Sequence, residues 1–190
     1  ISGLGNEAVT ISDTTLAASA LTTLDSATTG VIDASSITTI SSSTIANITS
    51  IYTSSGITGL GNEAVTTSDT SATAIQLNTV NGYTTGLVTA TSVTAISTSA
   101  ISDMLTLIGN RGTTGDKINL STSYTATLSD TSASAINLNS INADTTGLVT
   151  ATSVTNITSS AISDMLTLVA NNGTSGDKIN IGTSYTATVT

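Results

Sequence analysis

Five amino acids are missing from this chain: cysteine, histidine, proline, tryptophan and phenylalanine. Without cysteine or histidine there is no thiolate and no imidazole. That excludes a cysteine nucleophile, the usual zinc sites and the usual general base near neutral pH. A disulfide framework is excluded as well. Charge is scarce, at 8% of residues, and the net charge is −9. Arg111, Lys117 and Lys178 are the only cations. Three cations cannot neutralise a phosphate backbone, and an acidic chain is repelled by an anionic membrane surface. No apolar run approaches the roughly 20 residues of a membrane span. Neither nucleic acid nor membrane insertion is therefore expected.

What the chain has is serine and threonine, 73 of 190 residues. Such compositions often mark disordered segments, but here 38% of residues are hydrophobic and they recur in a fixed pattern. The eleven letters TTGLVTATSVT occupy both 84–94 and 145–155. Ser-Asp-Thr occurs at 12–14, 68–70 and 129–131, and Thr-Thr-Gly at 28–30, 84–86 and 145–147. The two motifs keep step: 68−12 and 84−28 agree, and so do 129−68 and 145−84, with the second offset longer than the first. The sequence is thus one window of three blocks, about 1–56, 57–117 and 118–190. It opens inside a block and stops where the next Ser-Asp-Thr is due, as a window cut from a longer array would.

Each block carries two kinds of segment. AVTISDT (8–14), AVTTSDT (64–70), TATLSDT (125–131) and TATVT (186–190) alternate apolar and hydroxyl residues, as half-buried strands do. VIDAS (31–35) and LVTAT (87–91 and 148–152) do the same after each Thr-Thr-Gly, where Gly30, Gly86 and Gly147 read as turn glycines. Between these seven strands the apolar spacing becomes helical. One helix carries Leu16, Leu21 and Leu24, matched by Ala72, Leu77 and Val80 and by Ala133, Leu138 and Ile141. A longer one carries Ile45, Ile48 and Ile51, matched by Ile101, Met104 and Leu107 and by Ile162, Met165 and Leu168. In SAISDMLTL (99–107 and 160–168) the first serine is placed to cap the helix, with Asp103 and Asp164 in its first turn. Asp13, Asp69 and Asp130 sit at cap or turn positions.

Strand–helix–strand crossovers are right-handed almost without exception. The expected fold is an α/β right-handed solenoid with a parallel sheet of about seven short strands and short helical returns. The alternative is an all-β solenoid in which SITTIS and SVTAIS are further strands. One coil cannot bury its own apolar face, so coils persist by stacking on neighbours. Val88, Ala90, Val93 and Ile96 are expected to lie over Val149, Ala151, Val154 and Ile157.

GLGNEAVTISDTTLAASALTTLD and GVIDASSITTI resemble long repeat arrays in very large secreted or surface proteins, adhesin-like in character, of marine cyanobacteria and related bacteria. The resemblance covers essentially the whole chain and implies an extracellular or cell-surface location. It carries no catalytic motif. The Gly-Gly-x-Gly-x-Asp-x-apolar-x run of calcium-binding nonapeptide arrays is missing.

No catalytic, cofactor-binding or metal residue is assigned. Serine is plentiful but has no histidine to activate it, and the acids recur singly rather than as pairs facing one cleft. Calcium is the one cofactor to weigh. Asp116 and Asp177, in Gly-Asp-Lys at 115–117 and 176–178, would hold it with loop carbonyls. Calcium needs six to eight oxygens and the neighbouring lysine repels it. The plainer reading is a surface turn. Thr89, Thr91, Thr125, Thr127, Thr150, Thr152, Thr186 and Thr188 are expected to face outward. Such rows resemble ice-binding faces, although Asp33 and Ser35 interrupt them. Tyr52 and Tyr83 could stack on sugars, whereas Tyr124 and Tyr185 alternate into the core. The sequence therefore implies a non-enzymatic structural segment: a stalk, coat or filament subunit, adhesive in some settings, with neighbouring repeats or copies of itself end to end as partners. The alternatives are a solenoid displaying a face to ice or polysaccharide, and a viral fibre segment.

Overall fold

A computed structural model describes residues 4–190. The first block runs β1 (Val9–Thr10), β2 (Thr15–Ala17), α1 (Ala18–Ala27), β3 (Ile32–Asp33), β4 (Thr39–Ser43), α2 (Ile45–Thr53) and β5 (Ile57–Thr58). The second repeats that order as β6 (Ala64–Thr67), β7 (Ser71–Ala72), α3 (Ala74–Tyr83), β8 (Val88–Ala90), β9 (Ala95–Ser99), α4 (Ile101–Gly109) and β10 (Ile118–Leu120). The third gives β11 (Thr125–Leu128), β12 (Ser132–Ala133), α5 (Ala135–Asp144), β13 (Val149–Thr150), β14 (Asn156–Ser160), α6 (Ile162–Asn171) and β15 (Ile179–Asn180), and β16 (Thr186–Val189) follows. The fold is α/β, with repeated strand–helix units and parallel pairing throughout its described sheets. Parallel neighbours need a long return between them, and the helices supply it.

Two compact bodies divide the chain. One comprises Ile1–Asp69, Thr79–Ser92 and Arg111–Leu120, the other Thr70–Asn78, Val93–Asn110 and Ser121–Thr190. The first holds a three-stranded sheet, β1-β3-β5, and a five-stranded sheet, β2-β4-β6-β8-β10. The second holds a five-stranded sheet, β7-β9-β11-β13-β15, and a three-stranded sheet, β12-β14-β16. The two five-stranded sheets are the same sheet written twice. Each position in one has its counterpart a block later in the other, as Thr39 has Ala95 and Val88 has Val149.

Strand alternation places aliphatic side chains inside. In β11, Ala126 and Leu128 are buried while Thr125 and Thr127 are exposed. The core is Ala, Val, Ile and Leu with Met104 and Tyr124. Helices bury one side at a spacing of three, as Ile101, Met104 and Leu107 do in α4. Their hydroxyls bond back one turn: Thr23 Oγ1 donates to the Ser19 carbonyl, Thr53 to Thr49 and Thr106 to Ser102. A threonine-rich helix thereby satisfies its side chains locally.

Three expectations change. All seven anticipated strands form, but nine more accompany them among the described residues. SITTIS and SVTAIS contribute to β4 and β9, so the added strands of the all-β alternative coexist with helices. Leu16, Ala72 and Ala133 lie in strands, not at helix starts, because each pairs with the following coil at Ile40, Ile96 and Ile157 before the helix begins. Finally, Val88 does not lie over Val149. Val88 is paired with Val65 and Ile118, and Val149 with Ala126 and Ile179. The stacking element is half a block, and its register steps alternate between shorter ones, such as Val65 to Val88, and longer ones, such as Val88 to Ile118. The longer step arises where α4 and β10 are joined by the segment 110–117, against only 54–56 between α2 and β5.

Gly30, Gly86 and Gly147 lie at bends, as expected, but none has positive φ, so a left-handed backbone is not what requires glycine there. A Cβ on each would lie 2.2 Å from a carbonyl oxygen of the preceding coil: Glu7, Glu63 and Tyr124 respectively. They are glycine because another backbone passes there. Gly86→Ala should therefore destabilise the chain by on the order of 3 kcal/mol in denaturant unfolding, an overpacking cost. Gly109→Ala, in α4 with no atom within 4 Å of the new Cβ, should stabilise it by about 0.5–1 kcal/mol. Equal effects at the two sites would contradict the close-approach reading.

Candidate functional site

Several polar groups that recur from block to block reach across to a neighbouring coil. Thr28 and Thr84, the first threonines of Thr-Thr-Gly, donate from Oγ1 to the carbonyls of Glu7 and Glu63 at 2.8 and 2.7 Å. Thr145 donates likewise to Tyr124. Each hydroxyl then accepts the N–H of its own glycine, Gly30, Gly86 or Gly147, at 2.9–3.0 Å. The last residue of each Ser-Asp-Thr offers its carbonyl to the next coil: Thr14 to the Thr38 N–H, Thr70 to Thr94 and Thr131 to Thr155, at 2.9–3.0 Å.

The helix starts follow the same logic. Ser99 and Ser160 do not cap the helices that follow them; those begin after Ala100 and Ala161, whose own side chains offer no cap. Instead Ser43 Oγ accepts the Ala18 N–H, Ser99 the Ala74 N–H and Ser160 the Ala135 N–H, at 2.9–3.0 Å. Each serine thus closes the helix of the coil before it. Asp69 Oδ2 accepts the Ile45 N–H and Asp130 Oδ2 the Ile101 N–H, both at 2.7 Å. Bonds this short are charge-assisted, and the helix dipole favours an anion there. The sequence alone puts these residues near helix starts but pairs them with the wrong helices. An acceptor that lies a whole coil away leaves no local spacing to read.

One buried acid stands apart. Glu63 is 0% exposed. Its oxygens accept two bonds from the Gly61 N–H, at 3.0 and 2.9 Å, and one from the Tyr52 hydroxyl at 2.7 Å. Tyr52 stacks on Tyr83 with ring centroids 5.2 Å apart. Burial, and then the Glu63 carboxylate beside it, hold the Tyr52 phenol above its ordinary pKa. In the third block Tyr124 replaces the glutamate and Asp144 replaces Tyr83, and Tyr124 donates to Asp144 Oδ2 at 2.6 Å. The bond there joins the positions of Glu63 and Tyr83, whereas Glu63 itself bonds Tyr52, so an acid–phenol pair recurs with one partner at a different position. Tyr124 lies in the core as expected, and Tyr185 is half-buried.

The remaining candidates are dispersed. Asp116 is exposed and accepts from Asn81 Nδ2 at 3.1 Å, and Lys178 Nζ donates to the Ala170 carbonyl at the end of α6. Among the described residues no three acidic side chains gather at one point. A shallow recess of about 250 Å³ is lined by Arg111, Gly112, Thr113, Ile118, Asn119 and Leu120, with no carboxylate in it. The outward threonines form short rows: Thr66 pairs with Thr89 and Thr127 with Thr150, and each row then meets an asparagine, Asn119 or Asn180.

No protein family model, curated protein or solved structure matches this chain.

Two outcomes follow from these contacts. Asp130→Ala should cost about 1–2 kcal/mol in chemical denaturation, while Asp130→Asn retains most of the stability; equal losses would remove the capping role. For Tyr52, a raised folded pKa means that its contribution is present in full below the unfolded phenol's pKa of about 10 and is lost as pH rises toward the folded value. Between about pH 9.5 and 11.5 the parent chain should thus lose more stability than Tyr52→Phe. Parallel profiles would show that the phenol titrates alike in both states.

Proposed function

We propose that this chain is a non-enzymatic structural repeat segment, a right-handed α/β solenoid that serves as a stalk, coat or filament element outside the cell. The observation that carries the reading is the destination of the recurring polar groups. Thr-Thr-Gly, Ser-Asp-Thr and the capping serines all bond to the adjoining coil. The residues that an enzyme would aim at a substrate are here used up in holding one repeat to the next. Stacked repeats of this kind are stabilised by nearest-neighbour interfaces. The extracellular placement rests on the resemblance of the repeat phrases to those of large secreted arrays.

A modular array tolerates an added module. Inserting a second copy of residues 64–124 ahead of Thr125 should give a chain that folds with unchanged helix content per residue and no loss of stability in denaturant. An unfolded or aggregated product would count against the array reading.

A further inference from the structure

The sheet of the first body stops at β10, in the middle of the chain, and its last edge is covered. Among the described strands β10 pairs with β8 alone, and the whole third block that follows adds no strand to it. The last strand of a sheet leaves a row of N–H and C=O groups on its outer side, a template for a strand from another molecule. In β10 that row is taken. The Ile118 carbonyl accepts the Gly112 N–H at 3.1 Å, and the Leu120 carbonyl accepts from Arg111 Nη2 at 2.8 Å. Both donors lie in the segment 110–117 that leads into the strand, which folds back along the edge as a strap.

One block later the strap recurs at β15 with different chemistry. The Ile179 carbonyl accepts the Gly173 N–H at 3.1 Å, and the Ile181 N–H donates to Asn172 Oδ1 at 3.3 Å. Arg111 and Asn172 share one repeat position, as do Leu120 and Ile181. The side chain changes from donor to acceptor, yet it meets the same edge residue. The straps also hold every cation of the chain, Arg111, Lys117 and Lys178. Lys117 directly precedes β10, and Lys178 directly precedes β15. A Cβ on Gly112 or Gly173 would lie 2.8 or 2.9 Å from Cγ of that lysine, so glycine lets the lysine stem lie against the strap. In a chain so poor in charge this placement has a physical reason. A lysine beside an edge and a loop laid over it are both obstacles to strand addition. The first block has only 54–56 before β5, and there the backbone instead leaves the strand at Gly59, with φ +85°.

We propose that 110–117 and 171–178 are edge guards: they occupy strand-addition sites on β10 and β15 and keep a second copy of this chain from pairing there. With its strap gone, β10 takes an extended segment of another copy in the strap's place. The guard also sets the size of the sheet, since each strapped strand is the fifth and last of its sheet. The inference is independent of what the array is used for, because it concerns only the ends of the sheets.

Replacing 110–117 by Ser-Ser-Gly, the link that serves the first block at 54–56, tests this in sedimentation velocity. The shortened chain should associate at about tenfold lower concentration than the parent, as newly gained backbone hydrogen bonds would give. Hydrogen exchange over 118–120 should then be slower in the associated form than in the monomer. A shortened chain that stays folded by circular dichroism and associates no more than the parent overturns the proposal. Association that leaves exchange over 118–120 unchanged overturns it as well. If the shortened chain does not fold, Arg111→Thr combined with Lys117→Thr decides in a chain of unaltered length: it must raise self-association, or the proposal fails. In the parent the Gly112 amide should exchange far more slowly than that of the exposed Thr113; equal rates would show that no strap is seated on the edge.

Discussion

The first backbone N–H groups of a helix have no acceptor within it, and an end buried without one costs free energy. Most proteins supply the acceptor from the residue just before the helix. Here the residue just before the helix still caps α2, α3 and α5 through Thr44, Thr73 and Ser134, but five helices take the acceptor for their first N–H from a side chain in the coil that follows. No coil can then complete its own helix. Each waits for the next, and the backbone ladders between parallel strands impose the same dependence. Cooperativity between neighbours is therefore written into the hydrogen-bond chemistry as well as into shared apolar surface.

The odd composition follows from that constraint. A seam between two backbones needs small groups that both donate and accept, and a hydroxyl does both. Thr84 donates to the Glu63 carbonyl and accepts from Gly86 with one oxygen. Lysine or glutamate at such a place would bring an unpaired charge into a buried seam. Glu63 is the exception, and it has three hydrogen bonds to hold it.

Much of the local structure was legible in the letters. Period-two alternation marked LVTAT as strand, and the spacing of Ile101, Met104 and Leu107 marked a helix. The extra strands were not legible. β7 and β12 are two residues long, too short for any period, and they exist because β9 and β14 lie beside them. The stacking order misled for a different reason. Identity between 84–94 and 145–155 suggested that copies lie on copies, but a block contains two helical returns, so identical strands recur at the same position of successive sheets. Asp130 and Gly86 were visible as recurring residues. Their partners were not, since the acceptor or the clash lies in another coil.

Hydrogen exchange at the first amide of each helix tests the dependence between coils most directly. In a dilute, monomeric sample, Ile45 and Ile101 should be protected from exchange to the same degree as the neighbouring strands β6 and β11. Ile162, which has the same sequence around it as Ile101 but no side-chain acceptor among the described residues, should exchange as an open amide. Equal protection at Ile101 and Ile162, or none at either, would show that the helix starts do not rely on the coil that comes after them.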